Sequence, residues 1–452
     1  MKDYLLYIKQ NRGNYLRSLR EYISIPSVSA DKRFRKDIDR AASWISMRMK
    51  KAGLEKVKAI ATVGNPVVYG EWIHHKEKPT VLFYGHYDVQ PPDPLDQWES
   101  KPFEMSVRDG NLYGRGVADN KAPHLSHVLG IEAILKKEKI LPVNVKFLIE
   151  GEEEVGSANF PRMLKANEKL VKSDVAFVSD GIMFSDAPVI EYGLRGLVCF
   201  ELAVKCLKKD VHSGSFGGVV DNAPMVLSYI ISRMKDRKGR IRIPGIYDKL
   251  RKVGLGEQKI LAKSETPTSE ILENTGAKST FGENGYKNII RTGARPSLDV
   301  NGISSGYTGE GMKTIIPSEA RAKMSMRIVP NLKADYVKKQ ISTFIKKIAP
   351  KTCEVSVEFP DGGDPVLFDR NSKEYDDAKQ ALKETFGKEP KMKLVGGSVG
   401  AVTDMKQILG INSIFTGFAL PDCGMHSPNE KLPIGNFLKG IELTIRYLKK
   451  LA

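Results

Sequence analysis

Three apolar, strand-length runs constrain this chain more than any other feature: residues 81–85, 143–149 and 175–178. Helix-length segments separate them, and each run ends in residues that carry charge or bind metals. His86 and Asp88 follow the first, the acidic run 150–154 ends the second, and Ser179-Asp180 ends the third. Apolar strands alternating with helices describe an α/β domain with a mostly parallel sheet, helices on both faces, and its chemistry collected at the strand ends. Positions i and i+2 of a strand point the same way, so His86 and Asp88 read as a metal ligand and its orienter.

The pattern changes near residue 196. Residues 197–205 alternate as a strand with one exposed face, helical periodicity covers 223–234 and 334–348, and further strand patterns occupy 314–316, 320–329 and 353–359. This order predicts a separate α+β domain with an antiparallel sheet. Residues 240–310 carry glycines and prolines but no assignable pattern. The α/β pattern resumes near residue 366, and 452 residues exceed one ordinary core, so two domains are expected.

The balance of 71 basic against 54 acidic residues gives a net charge of +17. That charge admits a nucleic-acid or membrane partner, but the basic residues are dispersed among apolar ones and no aromatic-interleaved binding motif accompanies them. Neither partner is therefore expected. Four cysteines without a CxxC pair are too few and too scattered for a disulfide framework, which fits a reducing cytoplasm. The first residues read as an amphipathic helix, and neither a signal peptide nor a spanning segment is expected.

Four carboxylates within residues 150–154 repel one another unless cations neutralise them. The candidate ligands are His86, Asp119, Glu153 or Glu154, Asp180 and His426, each in or beside a loop that follows an apolar strand. Two imidazoles with several carboxylates and no thiolate suit zinc or a neighbouring borderline metal. His124 and His127 share a helix face, where a supporting role is expected, with His124 lining the pocket.

The motifs GHYDVQP, YGRGVADNKAP, EGEEEVGS, VSD, HSGSFGG, KTIIP, MRIVP, GGSVG and MHSPNE occur in one order. Together they resemble the dinuclear zinc peptidase family of carnosinase, aminoacylase and glutamate carboxypeptidase, and most closely its cytosolic dipeptidase branch. The resemblance implies a catalytic domain formed by residues 1–195 and 364–452, with residues 196–363 inserted as a lid that also makes a homodimer. It implies two Zn2+ per chain, or Mn2+ or Co2+. His86 would bind one metal, Asp119 would bridge the two, often with a cis peptide to the next residue, Asn120, and Glu154 and His426 would complete one metal and Asp180 the other. Asp88 would orient His86, and Glu153, read from its register before Val155-Gly156-Ser157, would be the general base. His212 would hold the oxyanion across the dimer, Arg327 would clamp a substrate carboxylate, and Thr314, Gly397 and Ser398 would contact substrate. Gly400 stands where many members have proline.

The expected activity is hydrolysis of the amide bond in dipeptides or short peptides with a free C-terminal carboxylate, by metal-activated water. An N-acyl-amino-acid deacylase would use the same metals and base. A basic scaffold or nucleic-acid-binding protein on a silent hydrolase fold would explain the charge, but would leave a complete set of catalytic positions unexplained.

Overall fold

The computed structural model describes residues 1–452, the side chain of Asp361 excepted. The chain divides into two compact units, one formed by Met1–Tyr192, Phe368–Met392 and Val399–Ala452, the other by Gly193–Leu367 and Lys393–Ser398.

The first unit is mixed α/β with a mainly parallel sheet. Its strands lie in the order Glu55–Ile60, Val67–Trp72, Asn144–Glu150, Thr80–His86, Val175–Ile182, Asn412–Ala419 and Val189–Leu194. The four from Asn144–Glu150 to Asn412–Ala419 run parallel, and the flanking pairs are antiparallel. Thr80–His86 has a strand on either side, and every residue of it except Thr80 is buried. Burial on both faces explains its unbroken apolar sequence.

The helix Lys121–Glu138 is buried on nearly all sides, as a helix without a polar face must be. It begins at Lys121, so Pro123 occupies its third position, where the missing N–H still falls among the first-turn donors that lack a helical partner. Lys121 Nζ donates to the carbonyls of Tyr22 and Ile25 at 3.2 and 2.6 Å and so fastens the end of the first helix, Lys2–Ile23. Burial holds that ammonium down at about 7. The last helix, Ile434–Leu451, packs directly on Lys121–Glu138. Two glycines set the approach: a Cβ on Gly130 would lie 2.7 Å from Thr444 Cβ, and one on Gly440 would lie 2.4 Å from Ser126 Oγ.

The second unit carries an antiparallel sheet in the order Ser297–Ser305, Glu319–Ile328, Gly196–Lys205 and Glu354–Gly363. Buried and half-exposed residues alternate along Gly196–Lys205 as its sequence predicts. Helices Ala223–Met234 and Ala334–Ile348 contribute Leu227, Ile230, Val337 and Ile341 to the core beneath Phe200 and Leu202. The pattern-free stretch 240–310 holds three short helices, Leu255–Ala262, Thr268–Thr275 and Asn288–Gly293, and then the edge strand.

The structure corrects the cysteine reading. Cys206 and Cys353 form a disulfide across 147 residues, with their Cα atoms 4.2 Å apart. The register explains it: Lys205 pairs with Glu354, so the next residues face each other where the two strands end. Scatter along the chain concealed a cross-strand neighbour.

Substituting Gly130→Val should force the Lys121–Glu138 and Ile434–Leu451 helices apart. A stability loss of about 1–3 kcal/mol is expected despite the better helix propensity of valine, read as a lower urea midpoint at unchanged slope.

Candidate metal centre

The parallel strands deliver their chemistry at one end. His86 closes Thr80–His86, Glu150 closes Asn144–Glu150 as its register partner, and Asp180 lies near the end of Val175–Ile182. Asp119 stands just before the Lys121–Glu138 helix, joined to Asn120 by a cis peptide. The loop after Asn412–Ala419 returns His426.

Two donor groups result, His86 with Asp119 and Asp180, and Asp119 with Glu154 and His426, with the donor atoms of each within 4.8 Å of one another. Asp119 belongs to both. His86 Nε2 lies 3.0 Å from Asp119 Oδ1 and 3.5 Å from Asp180 Oδ1. His426 Nε2 lies 2.9 Å from Asp119 Oδ2 and 3.3 Å from Glu154 Oε2. The His86 side chain is fully buried, while that of His426 is 56 % exposed, so the centre opens towards His426.

The protonation preferences fit a cation site. Burial disfavours charge on His86, but Asp180, Asp119 and Asp88 outweigh it and hold the imidazolium well above its usual range. Hydrogen bonds to Asp119 and Glu154 push His426 up to about 10. Burial would raise Asp119, yet His426 and His86 hold it below the usual carboxylate range. These carboxylates recruit positive charge from the nearest titratable groups, the task a metal performs when bound. Two imidazoles and three carboxylates without thiolate fit zinc or a similar borderline cation.

Asp88 acts through both its main-chain carbonyl and its carboxylate. His86 Nδ1 donates to its main-chain carbonyl at 3.0 Å, which leaves Nε2 facing the donor group. Its carboxylate accepts the N–H groups of Glu153 and Glu154 at 3.3 and 3.1 Å, fixing the turn that carries both. The acidic run separates into distinct environments. Glu150 is buried against Tyr84 and Ser157, and burial lifts it to about 8. Glu152 accepts from the Asn65 N–H and the Asn159 amide. Glu154 accepts from Gln90 Nε2 at 2.9 Å. The Glu153 carboxylate has no hydrogen-bond partner among the described residues, and burial together with Asp180 and Asp119 raises it well above the usual range, against the opposing pull of His86.

His124 does not line a pocket. It is buried, with Nε2 3.1 Å from the Tyr22 hydroxyl and Nδ1 3.3 Å from Asn120 Oδ1, while Asn120 Nδ2 donates to Asp180 Oδ1 at 2.7 Å. His127 bridges Thr444 Oγ1 and Ser179 Oγ, and burial lowers it to about 3, so it stays neutral. These residues buttress Asp180 from behind.

Sequence reasoning missed Glu430. Its buried carboxylate accepts from Arg115 Nη1 at 2.7 Å and from the N–H groups of Gly116, Ala118 and Asp119 at 2.9, 2.8 and 3.1 Å. Burial raises the Glu430 carboxyl, and Arg115 with those N–H groups opposes the rise. It ties the loop that ends in Asp119 to the loop that carries His426. Both ends of the tie lie inside quoted motifs, YGRGVADNKAP and MHSPNE, but only the fold shows that they meet.

The remaining expected residues lie in the second unit. His212 ends the short strand Val211–His212, paired with Ile315–Ile316, and the next N–H donates to the Thr314 carbonyl at 3.1 Å, so His212 and Thr314 are neighbours. Arg327 Nη1 donates to Ser398 Oγ at 3.0 Å, and Gly397 lies exposed beside it.

Replacing Glu430 with alanine leaves Arg115 buried without its counter-charge. Metal-free Glu430→Ala is expected to lose about 3–5 kcal/mol of stability in urea denaturation.

Comparison with known proteins finds dipeptidases and metallopeptidases. The chain is 31 % identical to a human Beta-Ala-His dipeptidase, covering 99 % of this chain and 92 % of that protein. It is 30 % identical to a Cys-Gly metallodipeptidase of Schizosaccharomyces pombe, covering 98 % and 97 %. Its fold matches the crystal structure of an M20 family metallo-carboxypeptidase from Sulfolobus solfataricus with a TM-score of 0.84 at 31 % identity, covering 97 % and 99 %. The sequence profile of peptidase family M20/M25/M40 matches residues 82–450, which takes in every metal-donor position described above, and the chain belongs to that family.

Proposed function

We propose that this chain is a metal-dependent dipeptidase that hydrolyses the amide bond of dipeptides or short peptides bearing a free C-terminal carboxylate. The observation that carries the reading is the pair of three-residue donor groups joined through Asp119 at the ends of parallel strands. The names of the relatives, Beta-Ala-His and Cys-Gly dipeptidases, support the substrate class.

His86, Asp119 and Asp180 would hold one zinc ion, and Asp119, Glu154 and His426 a second, with Mn2+ or Co2+ as substitutes. When bound, such ions polarise a carbonyl and lower the pKa of attacking water to about 7. Asp88 keeps the Nε2 of His86 turned towards the donors. Glu153, whose raised affinity for a proton suits a general base, takes the proton from the attacking water and returns it to the leaving amine. His212 donates to the developing oxyanion, Arg327 pairs with the substrate carboxylate through its planar fork, and Thr314, Gly397 and Ser398 border the substrate.

The second unit is the lid and dimerisation domain of this proposal. Met225 and Tyr229 are exposed on the outer side of Ala223–Met234, with Val219 and Phe216 exposed just before it. Val300 and Ile303 are exposed on Ser297–Ser305, an open edge strand. An apolar helix face and an unpaired edge in one unit suit a second copy of the chain. We place the protein in the cytoplasm. No helix among the described residues is long and apolar enough to cross a membrane, while the Cys206–Cys353 bond is the feature that counts against a reducing cytoplasm.

A panel of dipeptides against N-acetyl and N-succinyl amino acids, run on metal-reconstituted protein, tests the reaction. Dipeptides should turn over, and Glu153→Ala should bind the same metal with kcat lowered at least about a hundredfold. Turnover of the acylated amino acids alone would make the protein a deacylase, and unchanged kcat would remove Glu153 as the base. The dimer is tested by sedimentation: the wild-type chain should run as a dimer, and Met225→Lys with Tyr229→Asp as a monomer.

A further inference from the structure

In the second unit the Ser398 hydroxyl joins the Arg327 guanidinium to the main chain of Arg195, whose own guanidinium lies on the neighbouring turn. Arg327 donates to Ser398 Oγ at 3.0 Å, and that hydroxyl donates to the main-chain carbonyl of Arg195 at 2.5 Å. The Arg195 side chain meets only neutral acceptors: the Gly396 carbonyl at 3.0 Å, Ser297 Oγ at 3.4 Å and the Arg295 carbonyl at 3.5 Å. Ser297 is the cross-strand partner of Arg327, which brings the two cations to the same end of the sheet. Glycine at 396 makes room for this packing, since a Cβ there would lie 3.0 Å from Arg195 Nη2 and 3.2 Å from the Thr292 carbonyl.

Neither guanidinium forms an ion pair among the described residues. Asp299, the acid whose charge favours the Arg195 cation, stands 3.7 Å from Lys235 Nζ. Burial and the charge of Arg327 lower Arg195 to about 10. A largely buried arginine on neutral partners beside a second arginine is an unfavourable arrangement unless an anion joins it.

We propose that Arg195 is a positioning residue for substrate selection: it braces the 396–398 turn against Arg327 and, as a second uncompensated cation, makes the Arg327 site select substrates that carry a carboxylate. This rests on the reading of Arg327 as the carboxylate clamp. Arg195 touches the turn rather than the substrate, so its effect is electrostatic and passes through Arg327 and Ser398. An incoming C-terminal carboxylate supplies the counter-charge that the unit withholds, whereas an amidated peptide does not.

The test uses the full-length metal-reconstituted enzyme with alanyl-alanine and alanyl-alaninamide. For Arg195→Gln, KM for alanyl-alanine should rise about tenfold, the size of one lost charge-assisted interaction, with kcat within about twofold. Turnover of the amide should fall much less than that of the acid, so that the preference for acid over amide narrows. The rise of KM with sodium chloride should be shallower than in the wild type. Arg195→Lys keeps the charge and should recover most of the KM, which separates electrostatics from misfolding. Equal losses on acid and amide, a fall in kcat alone, or no recovery in Arg195→Lys would each overturn the proposal while leaving a working dipeptidase. A wild-type enzyme that retains metal but hydrolyses no dipeptide would overturn the dipeptidase reading, and this inference with it.

Discussion

The first unit is organised around an electrostatic liability. Asp119 contributes a carboxylate oxygen to each of two donor groups, and Asp180, Glu154 and Glu153 converge on the same strand ends. Carboxylates this close repel one another in a protein interior, and the pairing of His86 and His426 with Asp119 offsets only part of the repulsion. The fold restrains the rest mechanically. Strands paired on both sides fix where His86 and Asp180 begin, the Asp88 carboxylate fixes the Glu153 turn, and Glu430 fixes the Asp119 loop through three main-chain N–H groups. His426 itself sits at φ 61°, a backbone region that costs a residue with a side chain about 1–2 kcal/mol. That cost is sustained only because the loop is tied down by Glu430 next to it.

Much of this was legible in the sequence, because burial on both faces of a parallel strand writes itself as an apolar run. The runs at 81–85, 143–149 and 175–178 became three adjacent parallel strands, and the helices over 223–234 and 334–348 have the bounds their periodicity predicts. His86, Glu154 and Asp180 stood out because each follows such a run, whereas Asp119 stands before a helix and His426 in the loop after Asn412–Ala419. What stayed hidden was held by contacts distant in sequence. Arg115 and Glu430 are 315 residues apart and meet in the core, and Cys206 and Cys353 become neighbours only through strand register. His124 illustrates a different failure. Position on a helix near a candidate ligand suggested a pocket wall, but the helix is buried all round, and the histidine supports Asp180 through Asn120 instead. The insertion at 240–310 was unreadable for a simpler reason: helices of six to eight residues are too short to establish a period.

The net charge of +17 also acquires a more local meaning. Acidic residues dominate the donor groups of the first unit, whereas the second unit carries Arg195 and Arg327 on neutral partners, with Ser398 Oγ between the Arg327 side chain and the Arg195 main chain. A dipeptide presents the complementary pair of features, a polarisable amide carbonyl and a carboxylate. A binding surface for a polyanion would gain most from exposed cations spread along its length, each contributing a similar increment. Arg195 is instead largely buried on neutral acceptors, a poor position from which to serve an extended polyanion. On the proposed reading of Arg327, that arrangement suits a small substrate with one carboxylate better than an extended polyanion.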